Sequence, residues 1–257
     1  NLLGMGWHEN NRAAVLQGRI DFERENRGPL GIDPHRQSMR HALELSSPEA
    51  VFHAAAYKQV PVLEGQLREA VRNNVLATET VVAETLGAGV ATFVLISTDK
   101  AVDPVNVLGA TKRLGEMVCQ SMSRPDSTRF VTVRFGNVLD SAGSVVPLFR
   151  EQIRSGGPVT VTDPEVTRYF MTIPEACELV LQAGAIGSPG DVMVLDMGEP
   201  ISIVDVAERL IAESGKEVEI RYTGLRPGEK LHEVLFSSLE ERTAGEHPLI
   251  SRVNVPG

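Results

Sequence analysis

Short apolar segments alternate with longer segments of helical character from about residue 49 onward, and this alternation is the strongest constraint on the fold. It is typical of βαβ units, in which parallel strands are joined by crossover helices. We therefore expect an α/β fold with a doubly wound parallel sheet. The apolar segments predict strands at residues 50–55, 92–96, 130–135 and 191–196, and the helical spacing predicts helices at 69–86 and 107–121.

The composition excludes several classes of protein. The chain has 257 residues and 42% hydrophobic residues, which is enough for a substantial core. A net charge of −9 argues against binding to nucleic acid or to an anionic membrane through bulk charge. No apolar stretch is long enough to span a bilayer. Cys119 and Cys177 lack metal-ligand spacing, so we expect reduced thiols, no metal site and a cytoplasmic location.

The alternation of predicted strands and helices changes along the chain, and this change predicts three parts. Residues 1–48 form a divergent or truncated N-terminal segment, 49–142 a cofactor-binding part, and 143–257 mainly a smaller C-terminal lobe. The glycines near the front, Gly4 and Gly6, do not form the glycine-rich fingerprint of a dinucleotide-binding loop. Because the chain opens at Asn1 without this loop, we expect a fragment or a strongly diverged N-terminus.

Polar residues follow three of the predicted strands. The segments are 53–58, 97–100 and 134–137. In an open α/β sheet, ligands bind at the carboxyl ends of parallel strands, so we expect the site there. Asp99 and Lys100 offer a proton donor beside a proton acceptor. Lys112 has two interpretations from spacing alone, either a site residue or a solvated helix charge paired with Glu116.

These residues also carry a resemblance to a known family. The chain resembles the polysaccharide-biosynthesis branch of the extended short-chain dehydrogenase/reductases, whose members are nucleotide-sugar 4,6-dehydratases. The resemblance covers residues 33–252 and implies a Rossmann-like sheet with a substrate-binding lobe. The motifs that carry it are His53–Pro61, Asn73–Val75, Ser97–Ala101, Gly109–Arg113, Arg134–Leu139, Gly143–Pro147, Thr167–Met171 and Arg226–Lys230.

The resemblance implies a set of roles. The cofactor is NAD or NADP, and the substrate is a UDP-sugar, mostly UDP-N-acetylglucosamine. Lys100 is similar to the base that removes the C5 proton, and Asp99 to the acid that helps the C6 hydroxyl to leave. Thr98 and Lys112 match the remaining catalytic positions, and Lys112 also matches the lysine that holds the nicotinamide ribose. The other cofactor-binding residues are Asp33, Ala54, Ala55 and Asn74. The UDP-sugar-binding residues are Lys58, Asn137, Arg168, Arg226 and Glu229.

One departure from the family pattern affects the chemistry. The superfamily places a tyrosine four residues before the lysine at the position of Lys112, and this chain has Leu108, which neither donates nor accepts a proton. Leu108 and the missing glycine-rich loop favour a non-catalytic nucleotide-sugar-binding fragment as one alternative to dehydration. A UDP-sugar 4-epimerase, which shares the fold and the first hydride step, is the other. Many relatives also carry an N-terminal membrane domain, so the chain is also interpreted as the cytoplasmic part of such a protein, and a homo-oligomer is a further expectation.

Overall fold

The computed structural model describes residues 13–14, 34–124, 126–141 and 143–255. The strands, numbered along the chain, are β1 (Ala13–Ala14), β2 (Ala50–His53), β3 (Thr92–Ile96), β4 (Arg129–Arg134), β5 (Asn137–Val138), β6 (Val159–Val161), β7 (Thr167–Arg168), β8 (Phe170–Met171), β9 (Val192–Leu195), β10 (Ile201–Ser202), β11 (Ile220–Tyr222), β12 (Glu241–Ala244) and β13 (Ile250–Asn254). Seven of these form one sheet in the order β1-β2-β3-β4-β9-β13-β12.

The helices connect the strands and cover the sheet. They are α1 (Pro34–Ser46), α2 (Val60–Glu64), α3 (Leu67–Val71), α4 (Ala77–Gly87), α5 (Val107–Met122), α6 (Val145–Arg154), α7 (Ile173–Ile186) and α8 (Ile203–Ser214). A π-helical turn at Arg72–Leu76 joins α3 to α4, and a 3₁₀ turn at Asp99–Ala101 follows β3. The single helix predicted at 69–86 is therefore interrupted, since the π-helical turn divides it.

The central strands are parallel, as the alternation predicted. Strands β1 to β4 and β9 pair in parallel, whereas β13 and β12 pair antiparallel at the far edge. Apolar clusters cover both faces. On one face α7 packs against residues such as Val94, Val131 and Met193, and on the other the helices pack against Phe93 and Phe130. Burial on both faces explains the near-continuous apolar sequence of β3 and confirms the doubly wound α/β fold.

Residues after 143 contribute to two structures. Helices α6 and α8 pack with the short pair β6–β11 around an apolar cluster that includes Phe149, Val159 and Ile203. The same stretch of sequence also supplies β9, β12 and β13 to the large sheet. The division at 49–142 and 143–257 stays a prediction. Asp33, Gly4 and Gly6 lie outside the described residues.

Two further expectations concern the helices and the thiols. Within the described ranges, no helix combines the length and the apolar character needed to cross a membrane. Cys119 and Cys177 are both free thiols, the first buried and the second half-buried. Burial raises the pKa of Cys119 to about 12, so this thiol stays protonated and unreactive at neutral pH.

Candidate active site at the carboxyl edge of the sheet

The three polar strand ends meet at one edge of the sheet. Strand β3 lies between β2 and β4 with parallel pairing, so the segments that follow the three strands leave the sheet side by side. Two of the predicted strand-end residues lie below this edge. His53 and Arg134 are buried, 5% and 0% exposed, and both contact protein groups. The surface of the edge is therefore made by the residues that follow them.

The turn after β3 holds the central polar group. The Asp99 carboxyl is fully buried, and its Oδ1 accepts hydrogen bonds from Lys100 Nζ at 2.9 Å and from the Thr98 hydroxyl at 2.9 Å. Its Oδ2 is buried and has no partner among the described residues. The 3₁₀ turn brings Asp99 and Lys100 together, although neighbours on a strand point to opposite faces. The two side chains are thus in contact at this turn, and their roles in one site stay a prediction.

Asn137 and Gly136, after β4, complete the wall around Lys100. Lys100 Nζ donates to Asn137 Oδ1 at 3.1 Å. A Cβ on Gly136 would lie 2.8 Å from the Tyr169 Cβ and 3.2 Å from Asp99 Oδ2, so only glycine allows this close approach. Lys100 Nζ therefore has a carboxyl oxygen and an amide oxygen as partners at this edge of the sheet.

Lys112 lies in the interior beside this turn. It is 8% exposed, and its Nζ donates to the carbonyl oxygen of Ile96 at 2.5 Å. Burial lowers the pKa of Lys112 to about 8, against the opposing charge of Glu116. The alternative interpretation of Lys112 as a solvated helix charge is wrong, because the side chain is buried. The ion pair with Glu116 does not form either, since that carboxylate binds other groups.

Glu116 is instead part of a buried ion network that the sequence did not predict. Both of its oxygens bind Arg134, at 2.8 and 2.7 Å, and Ser97 Oγ donates to it at 2.5 Å. Arg134 also donates to Glu240 at 2.7 Å. The network ties α5 to β3, to β4 and to the C-terminal segment. It thereby fixes Lys112, one turn earlier on α5, against the end of β3.

Leu108 lies one turn before Lys112 on α5. It is 5% exposed and packs in an apolar cluster with Leu63 and Ala70 from α2 and α3. Gly109 beside it touches the carbonyl oxygen of Lys100 so closely that any Cβ would collide. The N-terminal turn of α5 is therefore pressed against the Asp99–Ala101 turn. Leu108 contributes packing and no proton-transfer group.

The loop after β2 contains two of the predicted cofactor residues and is held by a third. Ala54 is exposed and Ala55 half-buried, so small side chains border the edge of the sheet. Asn74, 2% exposed, lies in the π-helical turn, where its amide group binds the backbone N–H and carbonyl of Tyr57 at 2.8 and 3.1 Å. It also donates to Thr111 Oγ1 on α5 at 3.1 Å. Asn74 thus holds this loop against α5.

Lys58 lies at the outer end of the same loop. Its Nζ donates to Ser141 Oγ at 3.3 Å, and burial lowers the pKa of the ammonium from its ordinary value. The contact links the loop after β2 to the loop after β5. Lys58 is exposed, so its ammonium is accessible at the rim of the edge.

Three of the predicted nucleotide-binding residues lie together. Arg226 is exposed, and Arg168 and Glu229 support the turn that carries it. The Arg226 backbone N–H donates to Glu229 Oε2 at 3.2 Å. Arg168 is 7% exposed, and its guanidinium donates to the carbonyl oxygens of Thr167, Leu231 and Lys230 and to Glu229 Oε1. Arg168 and Glu229 therefore hold the Arg226–Lys230 turn in place.

This turn is docked on the segment that follows β3. Lys230 Nζ donates to the carbonyl oxygen of Val102 at 2.9 Å, and Asn106 Nδ2 donates to the carbonyl oxygen of Gly228 at 2.8 Å. Gly228 has a φ of +76°, and a Cβ there would lie 2.8 Å from Asn106 Cβ. Glycine is therefore required at this contact. The turn that carries Arg226 and the turn that carries Lys100 are joined into one unit.

A nicotinamide dinucleotide, which the resemblance implies, fits the chemistry of this edge. Lys112 Nζ has three donors and spends one on Ile96, so two stay available for ribose hydroxyls. The small side chains of Ala54 and Ala55 let a flat ligand approach the backbone. Asp33, which the resemblance places near the adenine, lies outside the described residues.

Comparison with known proteins identifies the family. Residues 29–255 match the family model described as polysaccharide biosynthesis protein. The chain is 60% identical over 197 residues to the capsular polysaccharide biosynthesis protein CapD of Staphylococcus aureus, a match that covers 75% of this chain and 33% of CapD. The chain thus spans about one third of the length of that relative. It is also 41% identical over 234 residues to a UDP-glucose 4-epimerase of Rickettsia typhi, covering 90% of this chain and 66% of that protein.

Solved structures confirm the fold. Pen from Bacillus thuringiensis superposes with a TM-score of 0.74 at 37% identity, covering 80% of this chain and 66% of that one. More distant structures, at 20–21% identity and TM-scores of 0.70–0.72, share the fold and are complexes with NAD. The predicted Rossmann-like sheet is therefore confirmed. The family model matches residues 29–255, which is most of the chain. The chain therefore belongs to the polysaccharide biosynthesis protein family.

Proposed function

We propose that this chain is the catalytic part of an NAD(P)-dependent 4,6-dehydratase that acts on a UDP-N-acetylhexosamine in the synthesis of surface polysaccharide. The family and the name of CapD support the polysaccharide context. The observation that carries the reaction type is the cluster in which Lys100 Nζ lies 2.9 Å from Asp99 Oδ1 and 3.1 Å from Asn137 Oδ1. Dehydration needs an acid and a base on adjacent sugar carbons, and this pair supplies both.

The elimination step follows from the geometry of that pair. Lys100, as a free amine, removes the proton from C5 of a 4-keto sugar. Asp99, when protonated, donates its proton to the C6 hydroxyl, which leaves as water. A transfer of one proton from the Lys100 ammonium to Asp99 Oδ1 across their 2.9 Å hydrogen bond produces both required forms at once. The Thr98 hydroxyl donates to the same oxygen and orients the carboxyl.

The cofactor supplies the redox chemistry. When bound, NAD(P)⁺ would supply hydride transfer at C4 and C6 of the sugar. The proton that O4 loses in the first transfer would go to Thr98, Asp99 or a water held by Lys112, because Leu108 cannot accept it.

Lys112 is the residue that would hold the nicotinamide ribose, and Ala54 and Ala55 would border the ring. Asn74 would support cofactor binding indirectly, because it positions the loop after β2 that carries Ala54 and Ala55.

The substrate diphosphate needs local positive charge, because the chain carries a net charge of −9. Arg226 supplies it from the exposed turn, and Arg168 and Glu229 hold that turn. Lys58 lies across the edge of the sheet, where its ammonium would meet the sugar or the cofactor. Asn137 would contact the substrate next to Lys100.

A UDP-sugar 4-epimerase is the second candidate, favoured by the 41% identity to a protein named UDP-glucose 4-epimerase. An epimerase performs the same hydride transfer at C4 but needs no base for C5. The Asp99–Lys100 pair therefore favours dehydration over epimerisation.

The test is to incubate the purified chain with UDP-N-acetylglucosamine and added NAD⁺ or NADP⁺ and to follow the products by mass spectrometry and chromatography. Loss of the mass of one water is the expected result. An epimer of unchanged mass would support the second candidate. No conversion with either cofactor would contradict both enzymatic proposals and favour a non-catalytic, nucleotide-sugar-binding fragment.

A further inference from the structure

Asn106 is a buried polar residue at the start of α5 to which the mechanism above assigns no role. It is 6% exposed and is the N-cap of the helix, with an extended backbone. Its Oδ1 accepts from the backbone N–H of Gly109 at 2.7 Å, and its Nδ2 donates to the carbonyl oxygen of Gly228 at 2.8 Å. One short side chain therefore begins the helix and also holds a residue 122 positions away in the sequence.

The orientation of the Asn106 amide group is fixed by its two partners. A backbone N–H needs an acceptor and a backbone carbonyl needs a donor, so the amide oxygen must face Gly109 and the amide nitrogen must face Gly228. A serine at this position would still cap the helix, because serine is as good an N-cap as asparagine. Its shorter side chain would not reach Gly228. The choice of asparagine therefore serves the contact with Gly228 and not the cap alone.

The start of α5 is packed closely against two turns of the site. On one side, a Cβ on Gly228 would lie 2.8 Å from the Asn106 Cβ. On the other side, a Cβ on Gly109 would collide with the carbonyl oxygen of Lys100. Close-packed contacts of this kind transmit a displacement because they cannot be compressed. A shift of the Arg226–Lys230 turn would therefore move the start of α5, which presses on the backbone of Lys100.

A second contact between the same parts of the chain is more flexible. Lys230 Nζ donates to the carbonyl oxygen of Val102 at 2.9 Å. A lysine reaches its partner through a flexible four-carbon stem, so its ammonium can follow a carbonyl that moves. The Asn106 side chain is shorter, and both ends of its amide group are bonded to backbone. Of the two contacts, the one through Asn106 therefore sets the position of the turn.

We propose that Asn106 is a positioning residue, which fixes the Arg226–Lys230 turn relative to the Asp99–Ala101 turn so that UDP bound at Arg226 holds the sugar in place for Lys100. This inference rests on the proposed function and deepens it. The diphosphate and C5 are separate parts of one substrate, and binding energy from the part that does not react orients the part that does. A misplacement of about 1 Å at the reacting atoms costs about 10²-fold in rate.

The first experiment separates the Asn106–Gly228 hydrogen bond from the helix cap. Asn106→Ser keeps the cap and loses this bond, whereas Asn106→Ala loses both. Both variants are expected to lower kcat by about a hundredfold, and Asn106→Ala is expected to have the lower melting temperature. Inhibition by UDP, which carries no sugar, is expected to be nearly unchanged in Asn106→Ser. A wild-type kcat in Asn106→Ser, with or without weaker inhibition by UDP, would overturn the proposal and leave Asn106 with a structural role.

The second experiment does not depend on dehydration. Hydrogen–deuterium exchange, followed by mass spectrometry, compares the chain with and without UDP. In the wild type, UDP is expected to slow amide exchange in residues 224–231 and also in residues 102–112, where no UDP contact is proposed. In Asn106→Ser, the slowing is expected in residues 224–231 only. If UDP slows exchange only in residues 224–231 of the wild type, the two turns are not coupled and the proposal is overturned.

The two experiments also separate this inference from the proposed function. If UDP protects no segment of the wild type, the nucleotide site is contradicted, and the positioning role with it. If UDP protection reaches residues 102–112 in a chain that forms no dehydrated product, the reaction type is contradicted and the positioning role is supported. The wild-type exchange needs no variant, so it decides the question even if Asn106→Ser fails to fold.

Discussion

Lys112 Nζ lies 2.5 Å from the carbonyl oxygen of Ile96, at the end of the strand that leads into the Asp99–Ala101 turn. This contact fixes the ammonium where β3 ends, two residues before Thr98. Position 108, one turn earlier on α5, is a leucine packed in an apolar cluster, and the backbone carbonyl of Ile96 is the partner of the buried Lys112 side chain.

We expect that replacing Leu108 with tyrosine does not raise turnover. Leu108 is buried against Leu63 and Ala70, so a larger ring overpacks this cluster and lowers the free energy of unfolding by about 1–3 kcal/mol. Denaturant unfolding and the dehydration assay measure the two effects. Leu108→Met, which conserves volume, is the control and should cost less than about 1.5 kcal/mol. Faster turnover in Leu108→Tyr would show instead that the missing phenol limits the rate.

Lys100→Gln is expected to abolish the removal of the C5 proton while leaving UDP-sugar binding nearly unchanged. Glutamine still donates a hydrogen bond towards Asp99 Oδ1, so the buried carboxyl keeps a partner. Loss of a general base typically lowers the rate by about 10²–10⁴-fold. Product formation by mass spectrometry and affinity by calorimetry measure the separation. Retention of full turnover by this variant would show that another group is the base.

The two arginines of the nucleotide region are expected to respond differently to replacement by alanine. Arg226→Ala should weaken UDP-sugar binding, since a hydrogen bond to a charged group contributes about 1.5–3 kcal/mol. It should not lower the melting temperature, because the side chain is exposed.

Arg168→Ala should lower both affinity and melting temperature. Its guanidinium donates to the carbonyl oxygens of Lys230 and Leu231, which anchors the 229–231 segment, and to that of Thr167. All three oxygens would lose this donor. Thermal unfolding and calorimetry of both variants test the contrast. A stable Arg168→Ala protein with weakened binding alone would place Arg168 on the ligand instead of on the turn.

Much of the sheet was predictable because burial on both faces leaves a strong apolar signal. The strand Thr92–Ile96 has the predicted bounds, and α5 ends one residue beyond the prediction. The capping box at Thr172 and Glu175 was also predictable, because both side chains act within four residues of each other.

The parts that sequence did not predict depend on distant contacts. The Glu116–Arg134–Glu240 network joins residues up to 106 positions apart, so no local pattern indicates it. The π-helical turn was missed because Asn74 stabilises it through the backbone of Tyr57 and through Thr111.

The last prediction concerns the pH dependence of stability, which His53 should govern at mildly acidic pH. Thr78 Oγ1 donates to the carbonyl oxygen of Asn74, so it accepts from His53 Nε2 at 3.0 Å and the imidazole carries its proton on Nε2. Burial lowers the pKa of His53 to about 3, with the positive charge of Lys112 acting in the same direction. The folded protein therefore holds a neutral imidazole at pH values where the unfolded chain binds a proton.

The direction in which stability changes with pH follows from this difference in proton binding between the folded and the unfolded chain. The contribution of His53 to stability is fully present above the unfolded pKa of about 6.5 and is lost as the pH falls towards about 3. Within this window the loss is about 1.4 kcal/mol per pH unit. His53→Gln, which does not titrate but keeps a donor for Thr78, should flatten the dependence, and His41→Gln at an exposed site should not. Urea unfolding between these pH values measures the slopes. Equal slopes in wild type and His53→Gln would mean that His53 is not the neutral buried base described here, because only a group with different proton affinity in the two states changes the slope.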